Sequence, residues 1–191
     1  MDLTLPPPPP DRDPSEIGKS FLPITPGKCH CAVEKFDAYG SPSTGSHQVY
    51  FKILASHETE DIGRSQMVFF DSGPPTNKPE STFWSEKLFK FLMACGVVSP
   101  DEIRESQKEG VAISADPSKS VGCQLLVEFE RSKDAKYINI AGRGFAMWAV
   151  TDPIAEKFPT DKKALANAKL FKEQMQAYST EDMDTQANDL F

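Results

Sequence analysis

Three aromatics, Tyr50, Phe70 and Tyr137, are interleaved along the chain with five cations, Lys52, Arg64, Arg131, Lys133 and Arg143. An aromatic ring beside a cation on a solvent-facing strand can stack on a base while the cation pairs a phosphate. Tyr50-x-Lys52 is the clearest instance, because residues two apart share one face of a strand. A partly covered Tyr with a snorkelling Lys would look the same, so both readings stand. Arg143 lies between Gly142 and Gly144. It is either a bulge residue in water or a groove cation whose flanking glycines let another backbone approach. No other chemistry is spelled out. Cys29-x-Cys31 with Cys95 and Cys123 lacks paired Cys-x-x-Cys knuckles and reads as small buried hydrophobes. His30, His47 and His57 show no ligand spacing. Gly18-Lys19-Ser20 needs a glycine at position 13 to be a phosphate loop, and Asp13 stands there. There is no Ser/His/Asp grouping, and Glu128 and Glu130 read as one polar strand face. The expectation is no enzyme, no metal and no cofactor.

Period-two stretches must hold these residues. In the first, from Lys28, Cys29, Cys31 and Val33 share one face while His30, Glu34 and Phe36 share the other. After a loop at 37–46 containing Tyr39, the second runs over 47–55 with Val49, Phe51, Ile53 and Ala55 toward the core. Gln48, Tyr50, Lys52 and Leu54 point outward. The third spans about 64–71, with Met67 and Phe69 on one face and Arg64, Gln66 and Phe70 on the other, taken as the outer one. Gly73 to Pro79 then breaks the chain. Trp84, Leu88, Phe91, Leu92 and Cys95 recur at helical spacing as a core stripe, capped at the start by Ser81 or Thr82 and ended at Gly96. Ser99-Pro100-Asp101-Glu102 is a capping box opening a short polar helix that ends near Gly110. Val121, Cys123, Leu125, Val127 and Phe129 alternate across strand four. Arg131 to Ala135 forms a basic tip leading to strand five at 136–150, with Ile138 and Ile140 inward and Tyr137, Asn139 and Arg143 outward. Gly142-Arg143-Gly144 calls for a bulge or sharp bend there. A helix follows, with Ala164, Ala168, Phe171, Met175 and Tyr178 in a stripe that needs a protein partner.

The ends differ in composition from the middle. Residues 1–14 are a proline tract with polyproline II character. The opening Met1 to Leu5 and the prolines after it do not read as a signal peptide. The last thirteen residues, Ser179–Phe191, contain Glu181, Asp182, Asp184 and Asp189 and no Lys or Arg. Such a segment cannot offset its ordering entropy and is expected to be disordered. It closes on Leu190-Phe191, an apolar end that a purely solubilising tail does not need. A ring, a carboxylate and nearby acids on a leash suit a basic-rimmed apolar pocket. The net charge of −7 sits badly with a phosphate-binding surface. Much of it lies in the tails, yet residues 15–160 still hold sixteen Lys/Arg against nineteen Asp/Glu. No apolar run approaches the ~20 residues of a membrane span. Four cysteines without secretion read as reduced thiols of a cytoplasmic protein.

With Asp182, Asp184, Asp189 and Phe191 in place, the tip resembles that of bacterial and phage single-stranded DNA-binding proteins, with Leu190 where that family usually has Pro. The order of elements also resembles phage-encoded single-strand binders of OB type, in the Ala94-Cys95-Gly96 helix end, the Val121-Gly122 strand start, the charged hairpin and the Asp152-Pro153 exit. The resemblance implies a mainly β (α+β) fold, a five-stranded OB-like barrel with a helical insertion between strands three and four and a C-terminal helix. It divides the chain into a disordered arm at 1–19, a binding domain at 20–155, a linker and amphipathic helix at 156–178 and a disordered acidic tip at 179–191. The expected function is sequence-independent binding of single-stranded DNA in replication, recombination and repair. Tyr50, Lys52, Arg64, Phe70, Arg131, Lys133, Tyr137 and Arg143 would touch DNA, in a monomer or a homo-oligomer. Asp182, Asp184, Asp189, Leu190 and Phe191 would recruit replication or recombination proteins. The slightly acidic core keeps a second reading open, a non-enzymatic adaptor whose barrel binds protein and no DNA.

Overall fold

The computed structural model describes residues 23–39, 46–71, 82–133 and 137–168. The proline tract, the loop tip at 40–45, the break at 72–81 and the whole acidic tip lie outside the described residues, as do Phe171, Met175 and Tyr178 of the predicted C-terminal stripe. Among the described residues no helix is long and apolar enough to cross a membrane.

The strands are β1 (Gly27–Tyr39), β2 (Ser46–Ser56), β3 (Ser65–Asp71), β4 (Gln124–Arg131), β5 (Ile138–Ile140) and β6 (Met147–Ala149). All pairings are antiparallel, in the order β3-β2-β1-β4-β5, and β6 also pairs with β4. β5 comes beside β3, so the sheet curls into a nearly closed five-stranded antiparallel barrel. This order is compatible with the expected OB-type arrangement. Helices α1 (Phe83–Cys95) and α2 (Pro100–Glu109) lie between β3 and β4. Phe91 of α1 fills the barrel, tilted against Phe70 at 5.1 Å and edge-on to Phe51 at 6.0 Å. Gly96 ends α1 in the left-handed conformation, and its N–H bonds the Leu92 and Met93 carbonyls. At α2 the Ser99 hydroxyl accepts from the Glu102 N–H while the Glu102 carboxylate accepts from the Ser99 N–H, with Pro100 in the first turn.

Several faces differ from the alternation expected of them, each for a local reason. The β1–β2 register slips between Val33 and Lys35, which leaves Glu34 as an extra residue. Beyond that bulge the parity of β1 inverts. Phe36 therefore turns inward, with its ring 5.0 Å from His47 and 6.2 Å from Phe91, instead of sharing a face with Glu34. On β3, Val68 and Phe70 are the inward residues and Phe70 is 0% exposed, so Phe70 is core and not an outer-face aromatic. Strand four begins at Gln124, and Val121 stays exposed in the turn before it. The single strand expected over 136–150 is two short ones. β5 pairs Phe129–Arg131 and β6 pairs Leu125–Val127 on the same edge of β4, and a tight turn between them interrupts the ladder. In that turn Gly142, Arg143 and Gly144 have φ of 60°, 60° and 93°.

Candidate nucleic-acid interface

On the outer side of β2 and β3, cross-strand pairing decides which side chains meet. Tyr50 stands opposite Met67 of β3 and Lys35 of β1, Gln48 opposite Phe69 and Asp37, and Lys52 opposite Ser65 and Ala32. Directly opposed residues project to one side of a sheet. The opposite sides of these strands, with Val49, Phe51, Ile53, Val68 and Phe70, are buried. The outer face thus carries Lys35, Tyr50, Lys52, Met67 and Phe69. Phe69 is 46% exposed, a large ring on the solvent side of a sheet. The Tyr50 hydroxyl donates to Gln48 Oε1 at 2.9 Å, which fixes the ring along the strand. Lys35 Nζ lies 5.8 Å from the centre of the Tyr50 ring, a cation–π distance, and is ion-paired with Asp37. The hydrogen bond from Lys35 to Asp37 raises the lysine pKa above its ordinary value, so the cation is permanent at neutral pH.

Arg131, Lys133 and Tyr137 form a second group where β4 turns into β5. The Ser132 N–H donates to the Tyr137 carbonyl at 2.8 Å, and the Tyr137 N–H donates to Ser132 Oγ at 3.0 Å. These two bonds close the hairpin and leave the Tyr137 ring 66% exposed. Arg131 and Lys133 are exposed beside it. Arg143 is exposed at the crest of the left-handed turn.

Two of the residues expected to touch DNA have other work. Phe70 is in the core, as described above. Arg64 lies just before β3, and its guanidinium donates to Asp61 Oδ1 at 3.1 Å. Asp61 is buried and its other oxygen accepts the Thr25 N–H at 2.8 Å. Arg64 is thereby held as the counter-ion of a buried carboxylate. The outer face also carries Phe69 and Lys35, which the sequence does not single out. Phe69-Phe70 in an alternating strand puts one ring outside, and only the pairing with β2 tells which. For Lys35 no local signal exists, because its orientation depends on the bulge at Glu34.

The cysteines behave as packing groups. Burial pushes the Cys29 thiol up to about 11 and raises that of Cys31 as well, so both are neutral thiols at pH 7. Among the described residues no three His, Cys, Asp or Glu side chains are grouped to hold a metal ion. No protein-family model matches the chain, and no curated protein matches it in a sequence search.

Proposed function

We propose that the barrel binds single-stranded DNA without sequence preference, as an OB-type module in replication, recombination or repair, and that Ser179–Phe191 recruits partner proteins. The observation that carries this reading is the outer face of β1, β2 and β3, where Tyr50 stands beside Lys35 and Lys52 and the Phe69 ring is exposed on the next strand. Aromatic planes with adjacent cations suit unpaired bases on a phosphate chain, and a duplex hides its base faces. In OB-type barrels the strand 2–3 face and the loops joining strands one to two and four to five line the binding groove. The exposed Arg131, Lys133 and Tyr137 belong to the second of those loops, and Arg143 adds a further cation. Arg64 and Phe70 are not part of the proposed interface. Asp182, Asp184, Asp189, Leu190 and Phe191 keep the docking role inferred for the tip. No catalytic step, cofactor or metal is included.

The test is fluorescence anisotropy of labelled oligo-dT at stepped salt, with a duplex of equal length as competitor. Affinity should fall with salt at a log–log slope of about 0.7 per phosphate neutralised, and the single strand should win. A flat salt dependence, or equal affinity for duplex and single strand, would overturn the reading in favour of a protein-binding adaptor.

A further inference from the structure

On the outer side of β1 and β4, away from the β2–β3 face, a histidine is sealed from solvent. His30 is 0% exposed, although it projects from the barrel rather than into it. What covers it is the chain after β6. Phe158 packs edge-on against Trp148 of β6 at 5.4 Å, with Lys28 Nζ 5.4 Å from its ring centre. The chain then turns into a helical stretch at 162–168. Asp161 caps that stretch, accepting the Lys163 and Ala164 N–H groups at 2.8 and 2.9 Å.

Three polar contacts join this segment to the barrel wall. His30 Nδ1 lies 3.2 Å from the Asp161 backbone N, His30 Nε2 lies 3.0 Å from Gln124 Oε1, and Gln124 Nε2 donates to the Ala164 carbonyl at 2.9 Å. The partners fix the proton positions. A backbone N–H only donates, so Nδ1 is the acceptor and carries no proton. The Gln124 NH2 faces a carbonyl, so Gln124 presents its oxygen to the ring, and Nε2 must be the donor. The chain of donors is complete only for neutral histidine. A proton on Nδ1 would set N–H against N–H, in a place closed to water, and leave that N–H of a buried cation without an acceptor.

We propose that His30 is a pH-sensitive latch, which holds the 153–168 segment on the β1–β4 wall while its ring is neutral and releases it when the ring is protonated. The groups around the ring agree on the sign. Asp161 is the acidic neighbour and favours the imidazolium, but its carboxylate is engaged by the helix cap and stands beside Lys163. Gln124 and Leu126 of β4 and Ala55 of β2 are uncharged, and Lys28 opposite Glu128 lies two positions along the same face. Burial outweighs these influences and holds the His30 pKa below its ordinary 6.5. A released histidine binds a proton that the docked one refuses. Docking is therefore at full strength above pH 6.5 and weakens as pH falls below it, until the docked ring itself titrates. The Asp161 carboxyl titrates below its ordinary 3.8, so its cap is intact throughout this window.

The test is amide hydrogen exchange by NMR on the full chain between pH 7.5 and 5, corrected for intrinsic rates. Protection of the Ala164 and Leu165 amides should fall by up to about tenfold per pH unit below 6.5. Protection of the core amide of Phe51 should stay level, and the loss should level off at the pH where the docked His30 ring itself titrates. In His30→Gln, which keeps an acceptor and a donor but no titrating group, the profile should be flat. Flat protection in the unsubstituted chain, loss at Phe51 in step with Ala164, or a loss that continues undiminished below the pH of the His30 ring titration would each overturn the latch. These profiles are measured on the unsubstituted chain, so the latch can be overturned whether or not His30→Gln folds.

Discussion

At the scale of single residues, Asp61 and the Phe69-Phe70 pair have the most to say. Asp61 holds the Thr25 N–H and the Arg64 guanidinium at once, tying the chain before β1 to the start of β3. Asp61→Ala strands both donors, one of them charged, and should lower stability by about 2–3 kcal/mol in urea denaturation. Arg64→Ala should lower it too, and should not change oligo-dT affinity beyond that loss. The two phenylalanines should separate by assay. Phe70→Ala removes a fully buried ring packed on Phe91 and should cost about 3–5 kcal/mol of stability. Phe69→Ala removes an exposed ring and should leave unfolding within about 0.5 kcal/mol. The same change should weaken oligo-dT binding by about 1–3 kcal/mol, as should Tyr50→Ala. Equal loss of affinity from Phe69→Ala and a neutral surface change such as Gln107→Ala would remove Phe69 from the interface.

At the scale of elements, the gap between β3 and β5 is where the barrel depends on something other than a ladder. Lys87 of α1 reaches across it. Its ammonium donates to the Phe69 carbonyl at 3.2 Å and lies 4.9 Å from the centre of the Phe70 ring. Burial lowers the Lys87 pKa, partly offset by Asp71. The lysine stem passes so close to Gly144 that a Cβ there would collide with its carbons. Gly144 also has φ of 93°, in the region that favours glycine. Gly144→Ala should therefore destabilise by about 1–3 kcal/mol, from backbone strain and displacement of Lys87 together. The double variant with Lys87→Ala should recover the steric part only, so a thermal-melt cycle should show coupling between the two sites. Additive losses would mean that the lysine moves aside without consequence.

At the scale of the whole molecule, a net charge of −7 has to coexist with a proposed phosphate-binding face. The conflict eases if the acids are segregated, and Ser179–Phe191 holds four of them with no base. Deleting residues 183–191 should leave oligo-dT affinity equal or slightly higher, because its acidic residues would compete with phosphate for the basic face. The difference should shrink as salt screens it. The same deletion should abolish capture of replication or recombination proteins from the native host. A truncated chain that loses DNA binding, or keeps every partner, would show that the tip is not a docking peptide.

What could be read without coordinates was what depends on neighbours in sequence. The helix stops at Gly96 and Gly110, the capping box at Ser99 and Glu102, and the inward set Val49, Phe51 and Ile53 all follow from local residue preferences and period. So does the mainly β architecture, because hydrophobic alternation reports a half-buried strand wherever it occurs. The interruption at Gly142 to Gly144 was legible for the same reason, as glycines mark a backbone that must bend. Alternation states that a strand has two faces and says nothing of which faces inward when both carry apolar residues. On β3 that choice came from pairing with β2, which sends Phe70 in and Phe69 out. On β1 it came from one extra residue, Glu34, which turned Phe36 inward and Lys35 toward Tyr50. Tertiary structure alone brought together Asp61 and Thr25, thirty-six positions apart, and His30 and Asp161, a hundred and thirty-one apart. Burial and hydrogen bonding across such separations leave no mark in local periodicity, because the partner that satisfies each group is chosen by how the barrel closes.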